Sequence, residues 1–284
     1  MSGSSRMTLS YFPGCSLATT ARENNASLIS LCAGLGIRLV ELMDWNCCGS
    51  SSAHSVNRRL GERLPMRNLA LAPPGRPLLV ACPSCNLRLR QAQMTLLQDP
   101  DESRRYAQQF GRAVDRDLKI LNLFELLEPI QWSEEVARGG RGLGGLKVAA
   151  YYGCMLARPP AMRREKNYHG LMERILSALG ADPVTWGYAS RCCGTFLSVA
   201  RPDVVTPLVN QICAGAQQAE ADCIATACAM CHLNLEIRCD LKSPLPIFHF
   251  TEMLSLAMGL PLTSPGLERH LIDPRPLLQQ RALL

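Results

Sequence analysis

Apolar residues recur at helical spacing in two equivalent stretches of the chain. One stripe runs through residues 171–179 and stops at Gly180, and a shorter one runs through residues 28–35 and stops at Gly36. A glycine directly after such a stripe is a common C-terminal cap of a helix. Both stretches are therefore predicted to be amphipathic helices that occupy the same place in two halves of the protein.

Short apolar runs flank these helices and predict β-strands. The first strand of each half is predicted at residues 8–12 and 147–152, and the third at residues 77–81 and 222–226, with a second strand before each Cys-Cys-Gly sequence. Strands that alternate with helices indicate a parallel sheet. The predicted fold is α/β, with two pseudo-twofold-related repeats, each a small, mostly parallel sheet with flanking helices and a CCG cysteine motif.

The cysteines recur in the same order in the two halves. YFPGC, CCG and CPSC in the first half correspond to YYGC, CCG and CAMC in the second. Thirty-one residues separate Cys15 from Cys47 and 37 separate Cys154 from Cys192, while the intervals from CCG to CxxC are 33 and 34 residues. Five cysteines that recur in one pattern indicate an internal duplication.

A glycine-rich segment marks the boundary between the repeats. The sequence GGRGLGG at residues 139–145 holds five glycines and no helix or strand pattern, which is typical of a flexible linker. The predicted organisation is an N-terminal CCG domain at residues 1–138, a linker at residues 139–146 and a C-terminal CCG domain at residues 147–284.

The amino-acid composition argues against several classes of protein, namely membrane-spanning, secreted and nucleic-acid-binding proteins. Of the 284 residues 47% are hydrophobic, but no apolar run approaches the roughly 18 residues of a membrane span. The N-terminal stretch lacks the apolar core of a signal peptide, so a cytoplasmic protein is expected. The net charge of +6 comes from scattered basic residues, with only 5% aromatics, which argues against nucleic-acid binding. Fourteen cysteines in a reducing compartment indicate metal or redox chemistry, because disulfides are rare there.

The motif cysteines fall on or just after predicted strand ends, so the five thiols of each half are expected to converge. Thiolates suit iron–sulfur clusters, zinc and Cu(I). Zinc and a cubane cluster each use four ligands, which would leave one cysteine of every repeat unused. Adjacent cysteines can reach two different metal ions, and Gly49 and Gly194 let the backbone approach a cluster closely. The residues alone thus favour something larger than either centre.

The double pattern resembles the CCG domain, and nearly the whole chain resembles the B subunit of heterodisulfide reductase. The most specific segments are YYGCMLARP, ADCIATACAMCHLNLE and PIFHFTEMLSLAMGL. The resemblance implies two noncubane [4Fe-4S] clusters, each held by five cysteines. The first would use Cys15, Cys47, Cys48, Cys82 and Cys85. The second would use Cys154, Cys192, Cys193, Cys228 and Cys231. In some CCG relatives a motif binds zinc, so zinc in one motif is the lesser alternative.

The function implied by the resemblance is disulfide–thiol or related sulfur redox chemistry. In that family a disulfide is cleaved or formed between the two clusters, which makes Cys48 and Cys193 candidate catalytic positions. His54, shortly after the first CCG, is a candidate donor to a substrate thiolate, although an incidental histidine is the commoner case. The implied partners are a ferredoxin-like cubane iron–sulfur subunit, a flavin subunit and a disulfide or lipoyl-type sulfur substrate.

Two other functions stay open. The chain lacks the C-x₂-C-x₂-C-x₃-C-P run of ferredoxins, so electrons are expected from another subunit. The main alternative is an electron-transfer subunit that passes electrons between a flavoprotein dehydrogenase and a quinone or other acceptor, and the third is a zinc-stabilised docking module. His232 follows Cys231 and is expected to be an ordinary residue of the core. The cysteines outside the repeat are also expected to be core residues; they are Cys32, Cys213, Cys223 and Cys239.

Overall fold

The computed structural model describes residues 7–50, 53–157, 168–261 and 266–284. The strands of the first half are β1 (Thr8–Tyr11), β2 (Arg38–Glu41), β3 (Leu78–Leu79) and β4 (Ile120–Leu121). Its helices are α1 (Gly14–Ala18), α2 (Arg22–Gly34), α3 (Ala53–Val56), α4 (Arg58–Leu71), α5 (Pro83–Gln98), α6 (Pro100–Phe110), α7 (Leu123–Leu127) and α8 (Trp132–Ala137).

The second half follows the same order of elements around its sheet. Its strands are β5 (Lys147–Tyr151), β6 (Asp182–Pro183), β7 (Cys223–Thr226) and β8 (Ile247–His249). Its α-helices are α9 (Gly153–Ala157), α10 (Leu171–Ala178), α11 (Pro202–Gln218), α12 (Ala229–Arg238), α13 (Phe250–Ala257) and α14 (Arg275–Gln280). Short 3₁₀ helices lie at Thr195–Leu197 and Leu267–Arg269.

Two four-stranded sheets with the same topology organise the molecule. The strand orders are β2-β1-β3-β4 and β6-β5-β7-β8, and all neighbouring strands are parallel. The predicted pair of α/β repeats is therefore confirmed. Each sheet has a fourth strand that the sequence pattern did not predict, because β4 and β8 have only two and three residues and show no periodicity.

The two predicted amphipathic helices are α2 and α10. The apolar stripe of α2 buries Leu28, Leu31 and Cys32, and the stripe of α10 buries its four apolar residues between positions 171 and 176. Gly36 and Gly180 follow these helices with φ of +72° and +81°, in the left-handed region that favours glycine. The glycines thus end the helices as the pattern predicts.

One hydrophobic cluster is built from both halves. Leu28 and Leu31 of α2 and Met253 of α13 belong to it and are fully buried. Where α2 meets α13, Oγ of Ser27 and Oγ1 of Thr251 lie 2.5 Å apart. Because alternate residues of a strand face opposite sides, each sheet also packs a separate cluster on its other face. The halves are consequently joined through a common core.

The glycine-rich segment between the halves forms neither helix nor strand. The N–H groups of Arg141 and Gly142 donate to the carbonyl of Ala257 at 2.9 and 3.0 Å, and Leu143 N–H donates to Leu179 at 2.8 Å. The side chain of Leu143 is fully buried. The segment is thus packed against the second half, while the domain boundaries themselves stay a prediction.

In the described ranges, no helix is both long and apolar enough to cross a membrane. Helix α11, one of the longer ones, has 17 residues and contains Pro207.

Candidate metal centre

A left-handed glycine precedes the first motif cysteine of each repeat, directly after the central strand β1 or β5. Gly14 and Gly153 have φ of +72° and +68°. A Cβ on Gly14 would lie 2.9 Å from Sγ of Cys85, and a Cβ on Gly153 would lie 3.2 Å from Sγ of Cys231. Glycine therefore serves both the backbone conformation and the close approach of a thiol.

The adjacent cysteines lie in the loop after the second strand of each half. They are Cys47 and Cys48 after β2, and Cys192 and Cys193 after β6. The N–H groups of Gly49 and Gly194 donate to the sulfur two residues earlier, at 3.4 Å in both repeats. Cys48 and Cys193 are each only 2% exposed, whereas their neighbours lie closer to the surface. Each motif thus directs one thiol inward and one outward.

The CxxC cysteines lie at helix N-termini. Cys82 follows β3 and is the N-cap residue of α5. Cys228 follows β7 and is the N-cap residue of α12. Cys85 and Cys231 are in the first turns of these helices and are buried. Free N–H groups at a helix start favour negative charge. Neighbouring thiols, together with the N–H groups of Ser84 and Cys85, lower the pKa of Cys82, whereas neighbouring thiols and burial raise the pKa of Cys85 and Cys231.

The motif sulfurs approach one another within each half and between the halves. The Sγ–Sγ distances are 3.7 Å for Cys15 and Cys47, 3.1 Å for Cys48 and Cys85, and 3.4 Å for Cys193 and Cys231. Across the junction, Cys82 and Cys228 lie close enough for each to shift the pKa of the other. The two cysteine sets therefore adjoin.

All ten motif cysteines line one cavity of about 120 Å³ at the junction of the halves. Apolar side chains of Met155, Phe196 and Met230 complete part of its wall. Phe196 is 45% exposed at this wall. The sequence pattern did not identify these three residues as part of the site, because a single apolar residue beside a motif cannot be distinguished from an ordinary core residue.

Hydrogen bonds among the thiols set where negative charge is favoured. Hydrogen bonds with Cys47 and Cys85 lower the pKa of Cys48 to about 5, against the opposing effect of burial. In the second half, the hydrogen bond with Cys154 lowers the pKa of Cys192 to about 6. Each set thus contains a sulfur whose neighbours favour the thiolate, the form that metal ligation by cysteine requires.

The donor set of each half suits an iron–sulfur centre. Five thiols converge where a glycine leaves no room for a Cβ, and backbone N–H groups point at sulfur. A tetrahedral zinc site would use four of the five thiols. The chemistry of the ligands and the space around them agree with a cluster larger than a single ion.

The four cysteines outside the repeat lie away from the cavity lining. Cys32 and Cys223 belong to the core shared by the halves, and burial raises the pKa of Cys32 to about 12. Cys213 is buried in the second half, where the neighbouring half-buried Cys239 and burial raise its pKa. The expected core packing is confirmed for the three buried thiols.

Two histidines lie near the motifs, one in each half. His54 belongs to α3, but its side chain lies outside the described part of the structure, so its catalytic role stays a prediction. His232 is buried in the first turn of α12, 7% exposed, as expected of a core residue.

The CCG family, a cysteine-rich domain, matches residues 9–90 and 148–236, once in each half. The fold and the ten converging cysteines define the same class, and the chain belongs to this family. Its relatives also confirm the assignment to the family of heterodisulfide reductase B subunits.

Three relatives align along almost the full chain. The 8-methylmenaquinol:fumarate reductase membrane anchor subunit of Wolinella succinogenes is 30% identical over 93% of this chain and 96% of its own. The B subunit of the ferredoxin/F(420)H(2)-dependent CoB-CoM heterodisulfide reductase of Methanosarcina acetivorans is 25% identical over 93% and 94%. A protein of Archaeoglobus profundus named as similar to the heterodisulfide reductase B subunit is 26% identical over 87% and 89%.

The fold also occurs among solved structures. A hypothetical protein from Helicobacter pylori superposes with a TM-score of 0.69 at 14% identity, over 95% of this chain and 53% of that chain. The present chain thus spans about half the length of that protein, and at this identity the likeness concerns the fold alone.

Proposed function

We propose that the chain is the iron–sulfur subunit of a heterodisulfide-reductase-like complex, with a noncubane [4Fe-4S] cluster held by the five motif cysteines of each half. The observation that carries the proposal is the single cavity lined by all ten motif thiols, five from each half. Two ligand sets that share one cavity suit a substrate with two sulfur atoms.

The reaction we propose is the interconversion of a disulfide, of the lipoyl type or between two molecules, with its two thiols, in which two electrons and two protons are taken up or released. The clusters, when bound, supply one electron each and open iron positions for sulfur. The protein's own residues would hold the clusters and exclude water from the substrate. Cys48 and Cys193 are the buried ligands of the first and second cysteine sets, and Phe196 and Met230 cover part of the cavity against water. Because the apolar side chains of the wall create a low-dielectric environment, binding of a sulfur ligand in the cavity is favoured over binding of a charged oxygen ligand.

Electrons enter from other subunits in this proposal. The sequence has no ferredoxin run of cysteines, so a cubane iron–sulfur subunit and a flavin subunit would deliver them. The relatives named as heterodisulfide reductase B subunits support a multi-subunit reductase. We also propose a cytoplasmic location, which is supported by fourteen cysteines without a disulfide, as is usual in a reducing compartment.

One observation favours the second candidate, an electron relay to a quinone. The 30% identical relative is named as a subunit of an 8-methylmenaquinol:fumarate reductase. Beside the cavity, Phe196, Leu197 and Val199 are 45%, 48% and 92% exposed, which would suit an apolar electron acceptor. In such a relay, the two sets of motif cysteines would hold clusters that carry electrons, and no sulfur substrate would bind between them.

Single substitutions in equivalent positions separate the two functions. Cys48→Ser and Cys193→Ser each remove one buried ligand, and Cys32→Ser is the matched control because it removes a buried thiol of the core. Spectroscopy first establishes that the cluster of the other half survives. Turnover of a disulfide substrate is then measured with the partner subunits.

Paired action predicts that either ligand variant nearly abolishes turnover of the sulfur substrate, since each half serves one of its two sulfurs. The Cys32→Ser control should retain turnover. Substantial sulfur turnover by a protein with a single cluster would refute paired action. Reduction of a quinone analogue without any sulfur turnover in the wild type would favour the relay instead.

A further inference from the structure

Four buried ionisable side chains meet outside the cysteine cavity. His232 and Glu236 lie on α12, Glu252 lies on α13, and His270 follows the 3₁₀ helix at Leu267–Arg269. Their side chains are only 2–8% exposed. Ionisable groups are rarely buried to this extent unless they are paired or bind a cation.

The four side chains are close enough to share a ligand. His270 lies between the carboxylates, with Nδ1 3.0 Å from Oε1 of Glu236 and Nε2 3.2 Å from Oε1 of Glu252. The ring centroids of His232 and His270 are 4.9 Å apart. One ligand atom from each of His232, Glu252 and His270 can be chosen so that all three lie within 4.8 Å of one another.

One atom of the cluster has no hydrogen-bond partner. Nε2 of His232 is buried and unpaired among the described residues, and Oε1 of Glu236 lies 3.6 Å away, beyond hydrogen-bonding distance. The other ring nitrogen, Nδ1, is 2.9 Å from Nδ2 of Asn24 on α2. A buried polar atom that lacks a partner is costly, so this nitrogen marks the place of a missing ligand.

Two buried carboxylates also favour a cation at this place. Glu236 and Glu252 are only 4% and 3% exposed, and both contact the ring of His270. A divalent ion bound here would offset the charge of these carboxylates.

We propose that His232, His270 and Glu252 bind a zinc ion through the two Nε2 atoms and one carboxylate oxygen. Glu236 would keep its hydrogen bond with Nδ1 of His270, and Asn24 would hold Nδ1 of His232 after a half-turn of its amide. Zinc-ligating histidines commonly donate their second ring N–H to such a carboxylate or carbonyl. The fourth position faces a small cavity of about 40 Å³, large enough for one water.

The required adjustment is small. Zinc binds histidine nitrogen and carboxylate oxygen at about 2.0–2.2 Å, so the ligand atoms must draw together by roughly 1–1.5 Å. Side-chain rotation supplies such a movement without a change in the backbone.

The site would stabilise the junction beside the cysteines. Its ligands come from α12, which begins at the second CxxC, from α13, and from the C-terminal segment that carries His270. Asn24 adds a contact from the first half. The ion would thus fix helix α12 against both halves, whichever redox reaction the cysteines serve, and the inference does not depend on the proposed function.

The test is metal analysis of untagged protein prepared without oxygen, together with X-ray absorption at the zinc edge. We expect about one zinc per chain, with nitrogen and oxygen neighbours at about 2.0–2.1 Å and without the sulfur shell at about 2.3 Å of a cysteine site. His270→Gln and Glu252→Gln should each lose at least nine-tenths of the zinc and retain the iron. Arg269→Gln is the control, since Arg269 lines the same cavity and is paired with Glu23.

Three results would overturn the proposal. Zinc could be absent even after incubation with micromolar zinc chloride, the zinc could show sulfur neighbours, or both ligand variants could keep it. If the variants do not fold, the absorption spectrum of the wild type decides alone, because sulfur neighbours place zinc in a cysteine motif and nitrogen and oxygen neighbours place it here.

Discussion

Replacing Gly14 by alanine tests whether the glycine before the first motif cysteine is required by a neighbouring thiol. Its φ is +72°, and an added Cβ would lie 2.9 Å from Sγ of Cys85. The left-handed conformation costs an L-residue about 1–2 kcal/mol. Because real Cβ atoms do not approach sulfur this closely, the Cys85 thiol must also move away from its place in the ligand set.

Gly75→Ala is the control that separates these two effects. Gly75 has the same φ of +72°, and nothing lies within 4 Å of the Cβ it would acquire. Both variants should therefore unfold at a temperature a few degrees below that of the wild type, from the shared backbone cost. Only Gly14→Ala should also lose iron, from about eight to about four atoms per chain, since a noncubane cluster of the kind proposed holds four.

The assay is iron and acid-labile sulfide per folded chain in protein prepared without oxygen. Gly153→Ala provides a graded third point, because its Cβ would lie 3.2 Å from Cys231 and a smaller movement relieves the contact. We expect its iron loss to be smaller than that of Gly14→Ala and to affect the other cluster. If Gly14→Ala keeps as much iron as Gly75→Ala, the glycine is not required by the thiol and the assigned ligand set is wrong.

Three further predictions concern the whole molecule. The wild-type protein should hold about eight irons with matching labile sulfide, whereas two zincs bound by sulfur and no sulfide would contradict the cluster assignment. Replacing any one of the four cysteines outside the repeat with alanine should leave the iron unchanged and cost about 1 kcal/mol of stability; a lost cluster would identify a missed ligand. Leu31→Ala should cost about 2–5 kcal/mol and shift a single calorimetric transition, because Leu31 is fully buried in the core shared by both halves, and two separate transitions would show that the halves unfold independently.

The features that the sequence predicts best are those that repeat. The order GC, CCG and CxxC recurs at similar spacing, and parallel strands bring their carboxyl ends to one edge, so the convergence of thiols follows from pattern and topology together. The helices that end before Gly36 and Gly180 can be predicted equally well, because apolar residues at helical spacing are followed by a glycine that caps the helix. The two-residue strand β4 offers neither signal and could not be predicted.

Contacts between distant segments were beyond the reach of the sequence pattern. Ser27 and Thr251 are 224 residues apart in the sequence but are in contact in the structure. The local hydrophobic pattern of α2 does not indicate that it packs against α13. The buried His and Glu cluster is a similar case. Only His232 and Glu236 carry a partial signal, since residues four apart share a face of a helix, while Glu252 and His270 join them through the tertiary fold alone.

The shared core explains why the two cysteine sets face one another. Each sheet directs the carboxyl ends of its strands, and the N-termini of α5 and α12, toward the junction, where Cys82 meets Cys228. A separate half would present its five thiols to solvent and would expose the part of α2 or α13 that the other half covers. In the duplicated chain, each half covers the thiols and the helix surface that the other would expose. The packing of α2 against α13 sets the orientation of the halves, which places ten thiols around a single cavity. The contacts that stabilise the fold are therefore the same contacts that bring the ten thiols to one cavity, and a substitution that loosens α2 from α13 should disturb both.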